Sequence, residues 1–306
     1  MAYFPYDVEE DLRRLGLEYS YVDTRLGRLR LARSPGPVET LFLHGVGLDS
    51  SAWSPLIESA GPVPGWACLD LPGFGGSEPL VGALSLDDAS AAVIDALDAL
   101  GAAAVDLVGH SMGGFLALHL AALHPGRVRS LTIVCGAYAT IVDIVNAPAR
   151  TLLRRPRTTL IYGGLMLLAR LGRVGDALVR VGARTGLLRL SMPGVAAHPF
   201  RVRGSLLHAI AAGNRPRSFL DAQATGLGYD YRSVWSRITV PVVAMFGEKD
   251  ALVSRRDADV LASALPSARV AYLHDASHFA PMERPHDVLS LLQNRERFPD
   301  PTRDEE

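Results

Sequence analysis

The chain has 306 residues, of which 48% are hydrophobic and 21% are charged, so it can bury a large core. Its formal net charge of −1 gives no support to a nucleic-acid-binding protein or to one held at a membrane by bulk charge. The longest apolar stretch, Leu160 to Ala169, is shorter than the roughly 20 residues needed to cross a bilayer.

The N-terminal segment and the cysteines are consistent with a cytoplasmic protein. The segment from Met1 to Arg14 is rich in carboxylates and lacks an apolar stretch, which argues against a secretory signal peptide. Cys68 and Cys135 are the only cysteines; each lies in a predicted strand or at its end, where a buried free thiol is expected. The polar, proline-containing segment 300–306 is predicted to be disordered.

Apolar runs alternate with helix-period stretches along most of the chain. Strands are predicted at 18–23, 28–32, 40–43, 66–70, 104–108, 129–135, 240–246 and 268–273. Helices between and after them are predicted at 52–59, 86–100, 114–124, 257–264 and 286–297. This alternation is typical of a mostly parallel sheet with helices on both faces. We therefore predict an α/β core with an eight-stranded sheet, formed by residues 1–137 and 232–299.

A glycine-rich turn follows the predicted strand at 40–43. Its sequence, His44-Gly45-Val46-Gly47, can direct a backbone N–H toward a site at the end of the strand. We predict that the N–H groups of Val46 and Met112 form an oxyanion hole, which binds the negative oxygen formed when a carbonyl is attacked. His44 is expected to hold the turn rather than to react.

Ser111 lies where the strand at 104–108 turns into the helix at 114–124. The segment Gly109-His110-Ser111-Met112-Gly113-Gly114 carries the G-x-S-x-G pattern of a nucleophile on a sharp strand-to-helix turn. Glycine neighbours let the strand and the helix pack closely around a strained serine. We predict Ser111 as the nucleophile, which needs a general base and an acid that orients the base.

The base and the acid are predicted on loops that follow the last two strands. Asp250 comes after the strand at 240–246, and His278 comes after the strand at 268–273. Because both lie on the loop rather than at the strand end itself, we predict Asp250 as the acid and His278 as the base.

Other ionisable residues compete for these two roles. Glu248 lies two residues before Asp250, and His274 and Asp275 lie just before His278. Asp143 is the only carboxylate shortly after the strand at 129–135, but it lies well past the end of that strand.

Between Tyr138 and Tyr231 the alternation stops and helical patterns take over. The predicted helical stretches span 143–154, 158–171, 174–184, 204–213 and 216–226, and they are broken by Pro148, Pro156, Gly172, Pro193, Pro199 and Pro216. We interpret residues 138–231 as a helical cap over Ser111 whose apolar side chains line a pocket. The segment holds thirteen arginines against four aspartates, which either steer an anionic substrate or merely solvate its surface.

No ligand set for a metal is visible in the sequence. A cysteine pair, an H-E-x-x-H motif and a close carboxylate cluster are all missing, so no metal and no cofactor are predicted.

Taken together, these motifs resemble the α/β-hydrolase family, in its capped, esterase-like form. The motifs that carry the resemblance are His44 to Gly47, Asp70 to Ser77, Gly109 to Gly114, Gly247 to Asp250, and Ser277-His278-Phe279 followed by Glu283-Arg284-Pro285. They cover about two thirds of the chain, in the order of the family. In that family the segment Asp70 to Ser77 is a structural turn.

The resemblance implies a hydrolase with a Ser111–Asp250–His278 triad. The expected substrate is a carboxylic ester or lactone of a medium-sized, largely apolar molecule, cleaved through an acyl-enzyme on Ser111. Cleavage of a carbon–carbon bond in a diketone-like acid, or of a thioester, is the alternative reaction. A small-molecule receptor or a cofactor-free catalyst is the alternative from another class. A small-molecule partner, without nucleic acid or membrane, is expected, and the sequence leaves the oligomeric state open.

Overall fold

The computed structural model describes residues 6–293, so the predicted disordered tail at 300–306 lies outside the described residues. Eight strands form one sheet in this part of the chain. They are β1 (Glu18–Thr24), β2 (Gly27–Arg33), β3 (Thr40–Leu43), β4 (Trp66–Leu69), β5 (Val105–His110), β6 (Val128–Val134), β7 (Val242–Gly247) and β8 (Arg269–Leu273). Each coincides with a predicted strand to within about two residues.

The strands are arranged in the order β1-β2-β4-β3-β5-β6-β7-β8. From β4 to β8 all neighbours in this order are parallel, whereas β2 is antiparallel to both β1 and β4. The predicted eight-stranded, mostly parallel sheet is thus confirmed. Because parallel strands end at a common edge, the loops after β3, β5, β7 and β8 meet there.

Helices account for most of the rest of the described chain. They are α1 (Ser54–Ala60), α2 (Leu86–Ala99), α3 (Met112–Leu123), α4 (Ala139–Asn146), α5 (Pro148–Arg154), α6 (Pro156–Arg170), α7 (Arg173–Thr185), α8 (Gly204–Gly213), α9 (Pro216–Ala224), α10 (Tyr231–Trp235), α11 (Arg255–Ala264), α12 (Ala280–Glu283) and α13 (Pro285–Gln293). Short 3₁₀ turns lie at Leu12–Leu15, Ser50–Trp53, Pro125–Arg127, Leu187–Ser191 and Pro199–Arg201. No described helix is long and apolar enough to cross a membrane.

Alternate residues of the central strands divide the core between the two faces of the sheet. Leu41 and Leu43 pack on the face that α2 and α3 cover, whereas Phe42, between them, packs with Trp53 on the other face. This follows from the two-residue repeat of a strand. Burial on both faces explains the near-continuous apolar sequence of these strands.

The turn from β5 to α3 depends on glycines. The backbone of Ser111 has φ 57° and ψ −124°, a conformation that residues other than glycine rarely adopt. A Cβ at Gly113 would collide with the Leu43 carbonyl oxygen, and one at Gly109 would lie 2.5 Å from the Gly113 carbonyl oxygen. Both contacts are with backbone, so glycine is required at 109 for α3 to follow β5 this closely and at 113 for α3 to pack against the end of β3.

The cap, residues 138–231, leaves the sheet after β6 and returns to it before β7. Its helices α6 to α9 cover the edge of the sheet where Ser111 lies, although its boundaries as a separate domain stay a prediction. The predicted helical stretch at 143–154 begins four residues earlier in the structure and is broken at Pro148, as predicted, into α4 and α5. Proline has no N–H and its ring clashes with the preceding turn, so it begins α5 instead of continuing α4.

Candidate active site

The structure brings the three predicted side chains together in a chain of hydrogen bonds. Ser111 Oγ lies 2.8 Å from His278 Nε2, and His278 Nδ1 lies 2.8 Å from Asp250 Oδ2. All three residues are buried. This is the geometry that a nucleophile, a base and an orienting acid require, whereas their catalytic roles stay a prediction at this point.

Asp250 fixes the tautomer of His278. Its other carboxylate oxygen, Oδ1, accepts hydrogen bonds from the backbone N–H groups of Leu252 and Val253, at 2.8 and 3.0 Å. An ionised carboxylate acts only as an acceptor, so His278 Nδ1 carries the proton that is donated to Oδ2. His278 Nε2 is then left to accept the proton of the Ser111 hydroxyl.

Tyr138, at the start of the cap, contacts the nucleophile, and no sequence motif pointed to it. Its hydroxyl forms a short hydrogen bond with Ser111 Oγ. Because Ser111 donates its proton to His278, the Tyr138 hydroxyl must be the donor to Oγ. Burial raises the pKa of Tyr138 well above its ordinary value, so the phenol keeps its proton for donation.

His110 holds the main chain of the base. Its Nε2 donates to the carbonyl oxygen of His278 at 2.7 Å. Burial, together with the neighbouring His278, lowers the pKa of His110 to about 3, so the ring stays neutral. A single sequence gives no signal of this contact, because the two residues are far apart in the chain.

Glu283 ties the loop that carries His278 to the cap. Its two carboxylate oxygens accept hydrogen bonds from the N–H of Ala197, in the cap, at 2.6 Å and from the N–H of Ser277 at 2.7 Å. Burial raises the pKa of Glu283 to about 7, against its ordinary value of 4.5, although both hydrogen bonds act in the opposite direction.

The stability of the fold is expected to fall as this carboxyl ionises. A group with a raised folded-state pKa contributes its full stability below pH 4.5 and loses it as pH rises through about 7. We expect the free energy of unfolding in urea to decline from about pH 5 to about pH 7.5, and to decline less in Glu283→Gln, which cannot ionise.

Asp257 serves as an internal reference for this measurement. Burial raises its pKa to about 6, so it contributes a similar decline in both proteins, and the difference between the two slopes isolates Glu283. Equal slopes would contradict the assignment, even if Glu283→Gln is less stable at every pH because it loses one acceptor.

The competing candidates lie elsewhere. Glu248 and His274 contact each other at the protein surface, 2.9 Å apart. Asp275 pairs with Lys249 and with His198. The Asp143 carboxylate lies 2.5 Å from Arg256 Nη2.

The predicted oxyanion donors flank the nucleophile. Val46 lines the cavity above Ser111, and Met112 is the first residue of α3, where a helix leaves its N–H groups unpaired. Their use as an oxyanion hole stays a prediction. His44 is buried and holds this turn: Nδ1 bonds the Gly45 carbonyl at 2.8 Å and Nε2 accepts from the Leu71 N–H at 2.9 Å.

A cavity of about 490 Å³ lies between the sheet edge and the cap. Ser111, His278 and Tyr138 are at its floor, and apolar side chains such as Leu165 and Val179 form its walls. This size and lining are typical of a site for a small, largely apolar molecule. Two polar residues of the cap, Tyr162 and Gln223, also line the cavity. The Tyr162 hydroxyl donates a buried hydrogen bond to Gln223 Oε1 at 3.0 Å.

Within residues 6–293, the one cluster with spacing suited to a metal ion is Cys135, Asp250 and His278. Asp250 and His278 already bond each other, and burial holds the pKa of the Cys135 thiol well above its ordinary value. A protonated thiol is a poor metal ligand. The cluster therefore fits a hydrogen-bonded dyad better than a metal centre.

Comparison with known sequences gives one family and several relatives. Residues 40–291 match the alpha/beta hydrolase family. The acetyltransferase component of the acetoin cleaving system of Cupriavidus necator is 28% identical, over 90% of this chain and 68% of its own length. The pimeloyl-[acyl-carrier protein] methyl ester esterase of Chromobacterium violaceum is 29% identical, over 84% of this chain and 93% of its own length.

Solved structures share the fold at low sequence identity. Naproxen esterase from Bacillus subtilis superposes with a TM-score of 0.69 at 19% identity, covering 92% of this chain and 91% of its own. The enol-lactonase from Burkholderia xenovorans LB400 also gives 0.69 at 19% identity, covering 90% of this chain and 98% of its own. These matches bear on the fold alone.

Proposed function

The chain belongs to the alpha/beta hydrolase family, as its motifs predict, and from that premise we propose that it hydrolyses a carboxylic ester or lactone of a medium-sized, largely apolar molecule. The observation that carries the proposal is the Ser111–His278–Asp250 hydrogen-bond chain at the floor of an apolar cavity. The related methyl ester esterase, which the chain covers almost completely, supports an ester as the substrate.

In the proposed mechanism, His278 takes the Ser111 proton as Oγ attacks the substrate carbonyl. Asp250 keeps His278 in the required tautomer and stabilises the imidazolium that forms. The Val46 and Met112 N–H groups bind the oxyanion, and His278 then protonates the leaving oxygen. Water activated by His278 releases the acid from Ser111 and restores the resting site.

Tyr138 supplies a further hydrogen bond during the attack. In the resting site its hydroxyl donates to Ser111 Oγ. Once Oγ has bonded to carbon it is a weak acceptor, and the phenol becomes available to a substrate oxygen that is gaining charge. A charge-assisted bond made only in the transition state accelerates the reaction.

Tyr138→Phe is therefore expected to lower kcat about tenfold with little change in KM, since the lost bond belongs to the transition state. Tyr162→Phe is the matched control, because Tyr162 lines the same cavity but bonds Gln223 instead of Ser111. Steady-state kinetics on one p-nitrophenyl ester checks both variants. An unchanged kcat in Tyr138→Phe would show that the phenol is only a wall of the cavity.

The apolar walls of the cavity set the proposed substrate class. A series of p-nitrophenyl esters with acyl chains of increasing length tests it, with Ser111→Ala as the blank. We expect kcat/KM to rise with chain length until the cavity is filled. Turnover of every ester at the blank rate, with tight binding of an apolar ligand, would instead favour a receptor.

Two valines of α7 provide a matched pair for this series. Val179 is buried and lines the cavity, whereas Val181, on the same helix, is 54% exposed and does not line it. Val179→Trp is expected to shift the preference toward shorter chains, because it removes cavity volume, and Val181→Trp to leave it unchanged. The same shift in both variants would place the acyl site outside this cavity.

The series also separates the alternative reactions. Lactones and acyl thioesters of matched chain length, together with a diketone-like acid, are assayed beside the esters. Preference for the thioester or the diketone would revise the substrate but retain the same nucleophile. We further propose a cytoplasmic location, which the two buried free thiols, Cys68 and Cys135, support.

A further inference from the structure

The outer face of the cap exposes an unusual number of large apolar side chains. We define the outer face as the exposed side chains of residues 148–191. This stretch comprises α5, α6 and α7, of which α6 packs on both others, and the turn Leu187–Ser191, which packs on α7. Leu153 is 86% exposed and Leu160 is 66% exposed. The other apolar members are Leu152, Leu167, Leu171, Val174, Leu178, Val181, Leu187 and Leu190. A concentration of this kind marks an interaction surface.

Arginines are interleaved with these apolar side chains. On α6 the exposed positions Arg157, Leu160, Leu167 and Arg170 recur at helical spacing, so both kinds of side chain share one face. Seven arginines in this part of the cap pair with no carboxylate in residues 6–293. They are Arg150, Arg154, Arg155, Arg157, Arg170, Arg173 and Arg184.

Carboxylates are almost missing from the same stretch. Asp176 is the one acidic residue between 148 and 191, and it pairs with Arg180. The net charge of the whole chain conceals this, because the remaining segments of the chain are acidic. The expectation that the protein has no membrane partner rested on that net value and on the lack of an apolar stretch long enough to cross a bilayer.

The mouth of the cavity opens within the outer face. Leu160, Gly164 and Ser191 line the cavity and are also exposed to solvent. An amphiphile held on the outer face therefore lies next to the entrance that leads to Ser111.

We propose that the outer face of the cap docks on the surface of an anionic lipid bilayer. Leucines enter the boundary of the acyl chains while the arginines, on their flexible stems, reach the lipid phosphates. A bilayer presents phosphates to the arginines at its surface and acyl chains to the leucines just below. A second copy of the chain does not, since it would bring one arginine-rich face against another.

Vesicle flotation tests the proposal with the full chain. The two vesicle types are phosphatidylcholine alone and phosphatidylcholine with one third phosphatidylglycerol. Partition onto the anionic vesicles is expected to exceed partition onto neutral ones more than about tenfold, and to weaken as salt rises. Ser111→Ala should bind the anionic vesicles as well as the unmodified chain does, because docking does not depend on the proposed chemistry. Loss of ester turnover in this variant tests the proposed function and not the docking.

Paired substitutions locate the surface. Leu153→Asp with Arg154→Glu, and Leu167→Asp with Arg170→Glu, are each expected to weaken partition onto anionic vesicles about twentyfold or more, since one arginine near the surface accounts for about fivefold. The single variants Arg154→Gln and Arg170→Gln test the same surface if the paired variants fold poorly, and each is expected to weaken partition about fivefold.

Leu123→Asp with Arg237→Glu is the matched control. Leu123 ends α3 and Arg237 precedes β7, so both lie at the opposite edge of the sheet from Ser111. This control is expected to bind as the unmodified chain does. Absence of vesicle binding, equal binding to both vesicle types, or an equal loss in the control would overturn the proposal.

Two further outcomes would reassign the surface and so overturn the proposal. A dimer in sedimentation that Leu153→Asp dissociates, without vesicle binding, would assign the outer face to a second copy. Retention on an immobilised acidic acyl carrier protein, without vesicle binding, would assign it to a protein partner.

Discussion

Ser111→Ala, His278→Ala and the double variant are expected to lose the same activity, on the order of 10³-fold or more in kcat. The two side chains are joined by one hydrogen bond of 2.8 Å. Each needs the other for the proposed reaction, because the hydroxyl requires a proton acceptor and the imidazole requires a nucleophile to deprotonate. Steady-state kinetics on a p-nitrophenyl ester measures the three losses.

His274→Ala is the matched control for the base. His274 precedes His278 by four residues but lies at the surface against Glu248, so its loss should leave kcat nearly unchanged. Losses that multiply in the double variant would show that Ser111 and His278 act separately. A mild effect of His278→Ala with a severe effect of His274→Ala would transfer the role of base.

Asp250→Asn is expected to lower kcat about 10⁴-fold in a protein that still folds. The amide keeps the shape of the side chain, but its N–H group is a donor, whereas the carboxylate oxygen accepted a hydrogen bond from His278. If that N–H faces His278, the imidazole must present an unprotonated Nδ1, and Nε2 then carries the proton and cannot accept one from Ser111.

Asp143→Asn tests the alternative position for the acid, after β6. Asp143 pairs with Arg256 on α11, so this variant should retain nearly full kcat and lose only a partly exposed ion pair. Abolished turnover in Asp143→Asn, with Asp250→Asn active and folded, would reverse the assignment.

The fold could be predicted from the sequence because its signals are local. A buried parallel strand is a short apolar run, and the G-x-S-x-G turn needs glycines whose Cβ atoms would strike backbone, so both leave a mark on neighbouring residues. The break at Pro148 was equally visible, because proline marks the end of one helix even where the apolar spacing continues on both sides of it.

The contacts that sequence reasoning missed join residues that are far apart in the chain. Tyr138 reaches Ser111 only because β6 lies beside β5, and Glu283 reaches Ala197 only because the cap folds back over the loop that carries His278. No spacing in the chain encodes these distances. The outer face was hidden for a related reason: composition counts arginines and leucines but does not say which of them remain exposed together.

The cap leaves and re-enters the sheet at two strands that are hydrogen-bonded neighbours. β6 pairs with β7 directly, with Leu131 opposite Val242 and Val134 opposite Met245. Because the two strands are parallel, whatever connects them must run from the end of β6 back to the start of β7, a distance of about 10 Å at roughly 3.3 Å per residue. Since the entropy of closing a connection grows slowly with its length, segments of very different size can be exchanged here at little cost to the sheet. Evolution can therefore replace the roof of the pocket, and with it the range of ligands admitted, while the strands and their loops are inherited unchanged.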